Sequence, residues 1–370
     1  MKEILIATKN KGKVKEFKAL LEQFGYDVKS LLDINEEIDI VEDGVSFEEN
    51  AIIKARTISR LYNIDVIGDD SGLCIDHLDG LPGITSARWL GEDTSYDIKN
   101  QTVLDMLKDA TKRSARYVCA VAIVRKDGTT NVFKGICEGE IAKEPTGTNG
   151  FGYDPIFYYP DYKTTLANVS DDEKNLISHR AIAINKLVRY LNDDYKQVNV
   201  VLYEPEIPGN TGNIMRTCMA SDAILHLIEP LGFKLDEKSI KRAGMDYIHG
   251  LVYMIYKDWD DFIKRNPNGS YYFLSRYGNK KHSEFNYKLS NKNIYLVLGK
   301  ESSGIDKQLL YDNYETTLRL PMSSESRSLN LSNTAAIIVY EVLRQLDYQD
   351  LATYEVIKGK DYIYECIKGK

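Results

Sequence analysis

The sequence contains little cysteine, and its cysteines show no pairing pattern. They are odd in number, widely separated and never arranged as CxxC: Cys74, Cys119, Cys137, Cys218 and Cys366. Neither a disulfide framework nor a zinc site is therefore expected. Reduced thiols are the ordinary state of cysteine in cytoplasmic proteins, so we expect the protein to be cytoplasmic.

Long apolar runs are also absent. No stretch approaches the ~18 residues of a membrane-spanning helix, and the N-terminal MKEILIATKNKGK lacks the apolar core of a signal peptide. We therefore expect no membrane partner. Of the 370 residues, 43% are hydrophobic and 28% are charged, as in ordinary soluble globular proteins. This length favours two domains.

A flexible linker is missing as well. The segment 191–198, LNDDYKQV, ends a helical pattern and leads directly into an apolar strand. We interpret it as a tight join between domains 1–195 and 196–350, with an extension at 351–370. Acidic residues outnumber basic ones 33 to 25 up to residue 195, whereas the counts after it are 22 and 23. The first domain is therefore a poor nonspecific nucleic-acid binder, while the second tolerates an RNA partner.

The first candidate site follows an apolar strand at 4–7. The loop at 8–13, TKNKGK, opens a helix that should end at Gly25. The helix carries apolar residues at helical spacing: Val14, Phe17, Leu20, Leu21 and Phe24. Free N–H groups at the helix start, with the charge of Lys13, would form a cradle for an anion. A solvated lysine-rich turn is the alternative.

Acidic residues mark the next two elements. Ser46 and Glu49 are spaced as a capping box at the start of a helix. The later segment GDDSG at 68–72 follows an apolar run, and its two carboxylates should lie at a strand's end before a glycine turn. Carboxylates placed in this way suit Mg²⁺ with several bound waters, although an isolated DDSG is also an ordinary turn signal.

A glycine-dense loop, GTNGFGYDP, occupies residues 147–155. Its glycines allow the backbone to approach a flat base, on which Phe151 or Tyr153 would stack. Lys174 and the segment Ser178-His179-Arg180 supply further hydrogen-bond donors.

Together these motifs resemble the inosine triphosphate pyrophosphatase family, which removes noncanonical purine nucleotides. TKNKGKVKEF, SFEENAIIKAR, GDDSGLCID, GLPGITSARW, GTNGFGYDPIF and EKNLISHR stand in the family's order over residues 1–192. The resemblance implies an elongated α/β fold with a central cleft, usually in a homodimer. It also implies hydrolysis of ITP, dITP or XTP to monophosphate and pyrophosphate.

The same resemblance implies residue roles. It assigns triphosphate contacts to Thr8, Lys9, Asn10, Lys11, Gly12 and Lys13. Glu42 and Asp70 would hold Mg²⁺, Asp70 would be the general base for the attacking water, and Ser71 would contact substrate. It assigns base recognition to Phe151, Gly152, Tyr153, Asp154, Lys174, His179 and Arg180. Donors aimed at a 6-oxo group would reject adenine, because an amino group leaves them unpaired.

The second half alternates strands with helices. The loop after the strand at 198–203, PEIPGNTGNIMR, is not GxGxxG, so a Rossmann dinucleotide site is disfavoured. Further strands alternate with a helix containing Ile240 and Met245 and a short helix near Trp259. This alternation predicts an α/β domain with a parallel sheet and helices on both faces.

Three loops of this half resemble motifs one to three of the SPOUT methyltransferases: PEIPGNTGNIMR, LVLGKESSGI and LRLPMSSESRSLNLSN. More narrowly, residues 198–347 resemble the enzyme that methylates the ribose 2′-hydroxyl of the tRNA wobble nucleotide. The resemblance implies an α/β trefoil-knot fold. It also implies S-adenosylmethionine bound by the knot loops and an active site completed across a homodimer.

The implied cofactor-site residues are Leu274, Gly299, Leu320 and Ser328. The residues implied for catalysis are Asn210, Arg216, Glu301 and Asn330, with Tyr340 near the RNA. A guanidinium stays protonated, so we expect Arg216 to stabilise a developing alkoxide rather than remove a proton. GKESSG departs from the GPETRG of close relatives, and the missing arginine removes one expected RNA contact.

Two functional hypotheses follow from the sequence. In the first, the chain is a bifunctional enzyme, at least dimeric, acting on purine triphosphates and on tRNA. In the second, one half is a nucleotide- or tRNA-binding module attached to a single working enzyme. The extension at 351–370 interleaves Tyr with Lys, which suits RNA contact, a solvated tail or dimer packing.

Overall fold

The computed structural model of the chain describes residues 2–34, 38–192, 195–235, 251–326, 328–349, 351–353 and 361–368. Two compact units are present: Met1–Asp194 with Asp260–Asn268, and Tyr195–Trp259 with Gly269–Lys370. Both contain α-helices and a β-sheet, as predicted. In these ranges no helix has the length and apolar character needed to cross a membrane. The predicted helix with Ile240 and Met245 lies outside the described residues.

The described strands of the first unit form a mixed sheet. They are β1 Lys2–Ile6, β2 Tyr26–Ser30, β3 Val66–Ile75, β4 Ser114–Val124, β5 Thr130–Ile141, β6 Phe157–Tyr159 and β7 Thr164–Thr165. Their order is β2-β1-β3-β4-β5-β6-β7. β1 pairs in parallel with β2 and β3, and the pairs from β3 to β7 are antiparallel.

The helices described between residues 2 and 192 pack on the sheet of this unit. They are α1 Lys11–Leu21, α2 Phe47–Tyr62, α3 Tyr96–Met106, α4 Asp171–Ile177 and α5 His179–Leu191. The predicted apolar face of α1 is buried through Val14, Phe17, Leu20 and Leu21. Phe24, in contrast, is 51% exposed, because α1 ends at Leu21 and a tighter 3₁₀ turn follows. Gly25 then ends the turn in the left-handed conformation, with φ of 82°.

The cap of α2 differs in one half from the predicted capping box. Ser46 Oγ accepts a hydrogen bond from Glu49 N at 3.2 Å, as expected. The Glu49 carboxylate, however, accepts from Val45 N at 2.9 Å and not from the capping residue itself. Glu49 therefore holds the residue before the cap, which still satisfies one free donor beside the helix start.

The predicted turn at GDDSG is wrong. β3 runs unbroken through this segment and pairs with β4 from Val66↔Val124 to Ile75↔Ala115. The two glycines allow close packing and not a turn. A Cβ on Gly68 would lie 2.3 Å from Ala51 O of α2, and one on Gly72 would lie 2.2 Å from Gly83 O. Because side chains alternate along a strand, Asp69 and Asp70 face opposite sides of the sheet.

The described strands of the second unit form a parallel sheet, which confirms the prediction. They are β8 Gln197–Tyr203, β9 Ile224–Ile228, β10 Tyr253–Tyr256, β11 Ser270–Leu274, β12 Lys280–Lys281, β13 Asn293–Leu298 and β14 Thr317–Arg319. Their order is β10-β9-β8-β13-β11-β14-β12. Every pair in this ladder is parallel. Parallel strands place their carboxyl ends at one edge, where the three predicted motif loops begin.

The described helices after residue 195 are α6 Pro208–Ser221, α7 Trp259–Arg265, α8 Lys307–Asp312, α9 Leu331–Gln345 and α10 Tyr362–Lys368. α6 and α9 pack against each other. They share an apolar core with the central strands of the second unit: Val200, Leu202, Ile214, Met215, Leu296, Ile338 and Val339. This packing fixes the starts of α6 and α9, and both starts lie in motif loops.

Candidate functional sites

The first unit contains a cleft of about 500 Å³. Its walls include Glu42 and predicted residues from four of the six motifs of this half: Thr8, Lys9, Asn10, Lys13, Asp70, Ser71, Phe151, Gly152, Tyr153, Asp154, Lys174, His179 and Arg180. Lys11 and Gly12 are the predicted residues that do not line it. The structure therefore brings together nearly all of the residues that the sequence singled out in this half.

One end of the cleft is the start of α1. Asn10 caps the helix, since its Oδ1 accepts from Lys13 N at 3.1 Å, and Thr8 Oγ1 accepts from Asn10 N at 3.2 Å. A Cβ on Gly12 would lie 3.2 Å from the Phe151 ring, so glycine allows this helix to approach the base loop. The free N–H groups and the helix dipole suit the negative charge of a phosphate.

Asp70 faces α2. Asn50 Nδ2 donates to Asp70 Oδ2 at 3.1 Å, and Lys54 Nζ donates to Asp70 Oδ1 at 3.3 Å. Burial raises the pKa of Asp70 above its ordinary value, although Lys54 and Lys13 pull it in the other direction. A carboxylate with a raised pKa is a better proton acceptor than an exposed aspartate.

Sequence reasoning assigned no role to Asn50 or Lys54. Both lie in the motif SFEENAIIKAR, four residues apart, and therefore on one face of α2. This spacing was the feature of the sequence that could have indicated a shared role. The pKa of Lys54 is raised: burial lowers it, but attraction by Asp70, Asp69 and Glu42 outweighs burial. Lys54 therefore remains a cation inside the cleft.

Glu42 and Asp70 converge on one cation. Lys54 Nζ lies 3.0 Å from Glu42 Oε2 as well as near Asp70 Oδ1, so the two carboxylates face a common position. The described residues contain no cluster of three metal-ligating His, Cys, Asp or Glu side chains. Two carboxylates completed by water and phosphate oxygens are a typical Mg²⁺ set, so these residues fit that ion.

Asp69 is the buried centre of a second ion network, which the sequence did not reveal. Its carboxylate is fully buried, 2.8 Å from Lys13 Nζ and 3.7 Å from Arg180 Nε. Burial raises the pKa of Asp69, but Lys13 and Arg180 outweigh that effect and hold it below its ordinary value. Arg180 also pairs with Glu16 and donates to Ser71 Oγ at 2.9 Å. Asp69 therefore positions cations of the cleft.

The base loop presents one aromatic ring to the cleft. Phe151 is 38% exposed, with Lys174 Nζ 5.0 Å and Arg180 Cζ 5.9 Å from its ring centroid. Tyr153 is only 2% exposed, donates to Ser86 O at 3.0 Å and meets Tyr96 edge to face. Of the two rings considered for stacking on a base, Phe151 is thus the exposed one.

Asp154, Lys174 and His179 form the inner wall of the cleft. Asp154 accepts hydrogen bonds from Lys174 Nζ and from Phe151 N, both at 2.8 Å. His179 is buried, and burial together with the nearby cations Arg180 and Lys174 holds its pKa well below its ordinary value. Its imidazole is therefore neutral near pH 7 and can present a fixed donor or acceptor to a ligand.

The second unit contains another cavity of about 500 Å³. The predicted residues that line it are Asn210, Leu274, Gly299, Glu301, Leu320, Ser328 and Asn330. Two predicted residues lie outside it. Arg216 is exposed further along α6, and Tyr340 is 43% exposed on α9. The structure thus joins the predicted cofactor residues to three of the four predicted catalytic residues.

A chain of hydrogen bonds links the three motif loops. Asn330 Nδ2 donates to Asn210 Oδ1, and Asn210 Nδ2 donates to Glu301 Oε1, both at 2.9 Å. Asn330 also caps α9, because its Oδ1 accepts from Ser332 N at 2.8 Å. Each loop therefore fixes the side chains of the next, as a preorganised site requires.

Two further contacts in this region were not foreseen. Lys300 Nζ lies 2.5 Å from Glu204 Oε2, and Glu206 accepts from Ser302 N and Ser302 Oγ at 2.8 Å. Lys300 and Ser302 belong to the loop GKESSG, whose composition departs from the expected form. The changed loop is therefore tied to the loop after β8 by its own side chains.

Comparison with known proteins identifies both halves. Residues 4–190, about half of the chain, match the profile of the Ham1 family. This chain belongs to the Ham1 family. Residues 197–340 match the profile of the SpoU rRNA Methylase family, so a SpoU methylase domain follows the Ham1 domain.

Individual proteins are similar to one half of the chain or the other. The dITP/XTP pyrophosphatase of Bacillus licheniformis is 53% identical over 194 residues, covering 52% of this chain and 99% of that protein. The solved Ham1 protein of Staphylococcus aureus shares 44% identity, covering 51% of this chain and 98% of that one, with a TM-score of 0.48. A structure from work on 2-OH methylation of C/U34 on tRNA shares 36% identity, covering 41% of this chain and 97% of that one, with a TM-score of 0.38.

Proposed function

We propose that the chain is a bifunctional enzyme whose segment 1–195 hydrolyses ITP, dITP and XTP to monophosphate and pyrophosphate. The observation that carries this proposal is the convergence of Glu42 and Asp70 beside the phosphate cradle of α1. Membership of the Ham1 family and the 53% identity to a dITP/XTP pyrophosphatase support the substrate class.

Residues of the chain supply most of the proposed mechanism. Asp70, with its raised pKa, takes a proton from the water that cleaves the α–β phosphoanhydride. Asn50 and Lys54 hold its carboxylate in place. Lys13 and the start of α1 bind the triphosphate. Mg²⁺, held by Glu42 and Asp70, would neutralise phosphate charge when bound.

Purine selection falls to the inner wall of the cleft. A base stacked on Phe151 would present its 6-position to donors such as Lys174 and Arg180. A 6-oxo group accepts these hydrogen bonds, whereas the amino group of adenine leaves buried donors unpaired. We therefore expect ITP and XTP to be preferred over ATP.

Pyrophosphate release with Mg²⁺ tests this half directly. We expect release from ITP, dITP and XTP and little from ATP. A folded protein that releases none from any of them would overturn the catalytic role of this domain and leave a nucleotide-binding module.

For segment 196–350 we propose transfer of a methyl group from S-adenosylmethionine to the ribose 2′-hydroxyl of a tRNA wobble nucleotide. The SpoU profile and the three motif loops support RNA methylation. The cavity fits the cofactor, because Leu274 and Leu320 offer an apolar surface beside the polar chain of Asn330, Asn210 and Glu301. When bound, S-adenosylmethionine would supply an electrophilic methyl group.

Gly299 leaves the backbone of this cavity close to a ligand. A Cβ at this position would lie 2.3 Å from Gly304 C, so a side chain would displace the loop that lines the cavity. The proposed trefoil knot would hold these loops together. Gly299 and the hydrogen bonds that link Asn330, Asn210 and Glu301 would also shape the site.

Arg216 suits a role in a second copy's site. It is exposed and does not line the cavity of its own chain. In a homodimer it would reach the partner's cavity and stabilise the alkoxide that develops on the ribose. Tyr340, exposed on α9, would contact the tRNA.

Methyl transfer from labelled S-adenosylmethionine to tRNA, followed by nucleoside mapping, tests the second half. We expect label in a 2′-O-methylated wobble nucleotide. Label elsewhere in the tRNA or in rRNA would retain an RNA methyltransferase but overturn the wobble assignment. Cofactor binding without transfer to either RNA would overturn methylation.

A further inference from the structure

Tyr117 of β4 contacts two residues of the proposed base site at once. Its ring stacks on the His179 imidazole, with centroids 4.7 Å apart and planes 9° from parallel. Its hydroxyl donates to Asp154 Oδ1 at 3.3 Å. Phe157 packs on the same ring at 4.6 Å. The tyrosine is buried and lies in none of the sequence motifs.

His179 depends on this stacking for its orientation. Its Nδ1 atom is buried, and no hydrogen-bond partner for it is found among the described residues. Because Nδ1 makes no hydrogen bond that would fix the plane of the ring, packing against the imidazole contributes to its orientation. Offset or parallel contact between aromatic rings supplies both attraction and a preferred plane.

Asp154 receives its third hydrogen bond from the same tyrosine. Lys174 Nζ and Phe151 N already donate to Oδ2, whereas Tyr117 reaches Oδ1. Burial and the Asp154 carboxylate raise the pKa of Tyr117 well above its ordinary value, so the hydroxyl keeps its proton and donates. The carboxylate is therefore fixed at both oxygens.

We propose that Tyr117 is a positioning residue that sets the purine specificity of the cleft by fixing His179 and Asp154 together. This inference rests on the proposed pyrophosphatase function. A base is discriminated only if the groups that face it cannot turn to accommodate the wrong one. Tyr117 also lines the cleft, and it acts through these two groups, on which its ring stacks and to which its hydroxyl donates.

Tyr117→Phe and Tyr117→Leu separate the two contacts. The phenylalanine variant keeps the stacked ring and loses the hydrogen bond. Its kcat/KM for ITP should therefore fall about fivefold because KM rises, whereas its kcat/KM for ATP should stay unchanged. The leucine variant also loses the stack, and the ratio of ITP to ATP activity should fall about threefold to tenfold further. Tyr190→Phe, at another buried tyrosine of this unit that does not line the cleft, is the matched control.

The outcomes are distinct. If kcat/KM fell equally for ITP and ATP, through a lower kcat and together with a lower Tm, Tyr117 would have only a structural role. An unchanged ITP to ATP ratio in Tyr117→Phe, with active wild-type protein, would also overturn the inference while sparing the proposed function. Wild-type protein inactive on ITP and XTP would overturn both. Should Tyr117→Leu fail to fold, the phenylalanine variant alone decides.

Discussion

Lys54 of α2 donates to Asp70 of β3 in the cleft of the first unit, with Nζ 3.3 Å from Oδ1. The same ammonium pairs with Glu42, the other carboxylate proposed to hold Mg²⁺. Lys54 thus compensates the negative charge that a metal ion would otherwise compensate. Substituting it changes the charge balance of the cleft in a way that metal can restore.

We predict that Lys54→Gln is less stable than wild type by about 3 kcal/mol, because Asp70 stays buried without its cation. Added Mg²⁺ should raise the Tm of the variant more than that of the wild type. Thermal melting with and without Mg²⁺ measures both effects. Lys15→Gln, which removes an exposed pair with Asp171, is the control and should change little. Equal Mg²⁺ shifts in all three proteins would contradict the shared cation position.

The two activities should separate by mutation. Asp70→Asn removes the proposed base and should lower pyrophosphate release about a hundredfold or more, with methyl transfer intact. Arg216→Ala should have the reverse effect. Both assays run on each variant in the same preparation decide the matter. A variant that lost both activities while still folded would argue against two independent sites.

Gly68→Ala should be poorly tolerated. The added Cβ meets the backbone oxygen of Ala51, which cannot move without shifting α2, and we expect a loss of about 3 kcal/mol. Gly209→Ala is the control, since nothing lies within 4 Å of a Cβ built there. Denaturant unfolding compares the two. Wild-type stability of the Gly68→Ala protein would contradict this prediction and would mean that α2 can shift at little energetic cost.

Acid should destabilise the chain through His179. Its pKa is lowered by burial and by Arg180 and Lys174, so below the ordinary value near 6.5 the unfolded chain binds a proton that the folded chain does not. The free energy of unfolding therefore falls as pH decreases, by about 1 kcal/mol at pH near 5.5. His179→Phe keeps a ring but cannot be protonated, so it should lack this component. If the free energy of unfolding fell equally with decreasing pH in wild type and in His179→Phe, the assignment to His179 would be refuted.

Asn330 combines a helix cap with a link between motif loops, and two variants separate these roles. Asn330→Asp keeps an oxygen for the N–H groups of α9 and loses the N–H₂ that donates to Asn210. We expect its stability to stay near wild type while methyl transfer falls. Asn330→Ala should lose methyl transfer and also about 1 kcal/mol of stability. Transfer assays beside denaturant unfolding test the pair, and full transfer activity in Asn330→Asp would rule out the link.

The sequence predicted which loops form each site better than it predicted local geometry. In the second unit each motif loop follows the carboxyl end of a strand of a parallel sheet, so an alternating α/β pattern already places these loops at one edge. GDDSG was misread because a glycine that serves a turn and one that serves close packing look alike in sequence. The pairing of β3 with β4 and the close approach of Ala51 to Gly68 distinguish packing from a turn.

Burial was the other information that the sequence lacked. Phe151 and Tyr153 are two aromatic residues of the same loop that the sequence does not distinguish. In the structure the Phe151 ring is exposed, whereas the Tyr153 ring is buried in contact with Ser86 and Tyr96. Asp69 and Asp70 are likewise indistinguishable until α1, α2 and α5 are placed on the sheet. Which of these side chains is exposed or paired depends on tertiary packing between segments distant in sequence, and no local sequence pattern encodes that packing.

The neighbouring aspartates also bear on how β3 finds its place in the sheet. Both faces of this strand are buried, so its apolar pattern alone would tolerate a shift of one residue against β4. Such a shift would turn Asp69 from the side of Lys13 and Arg180 to the side of Lys54, and Asp70 the opposite way, so neither carboxylate would keep its present ion pairs. The ion pairs of Asp69 and of the proposed base Asp70 therefore also favour the observed alignment of β3 with β4, because they form only in this register.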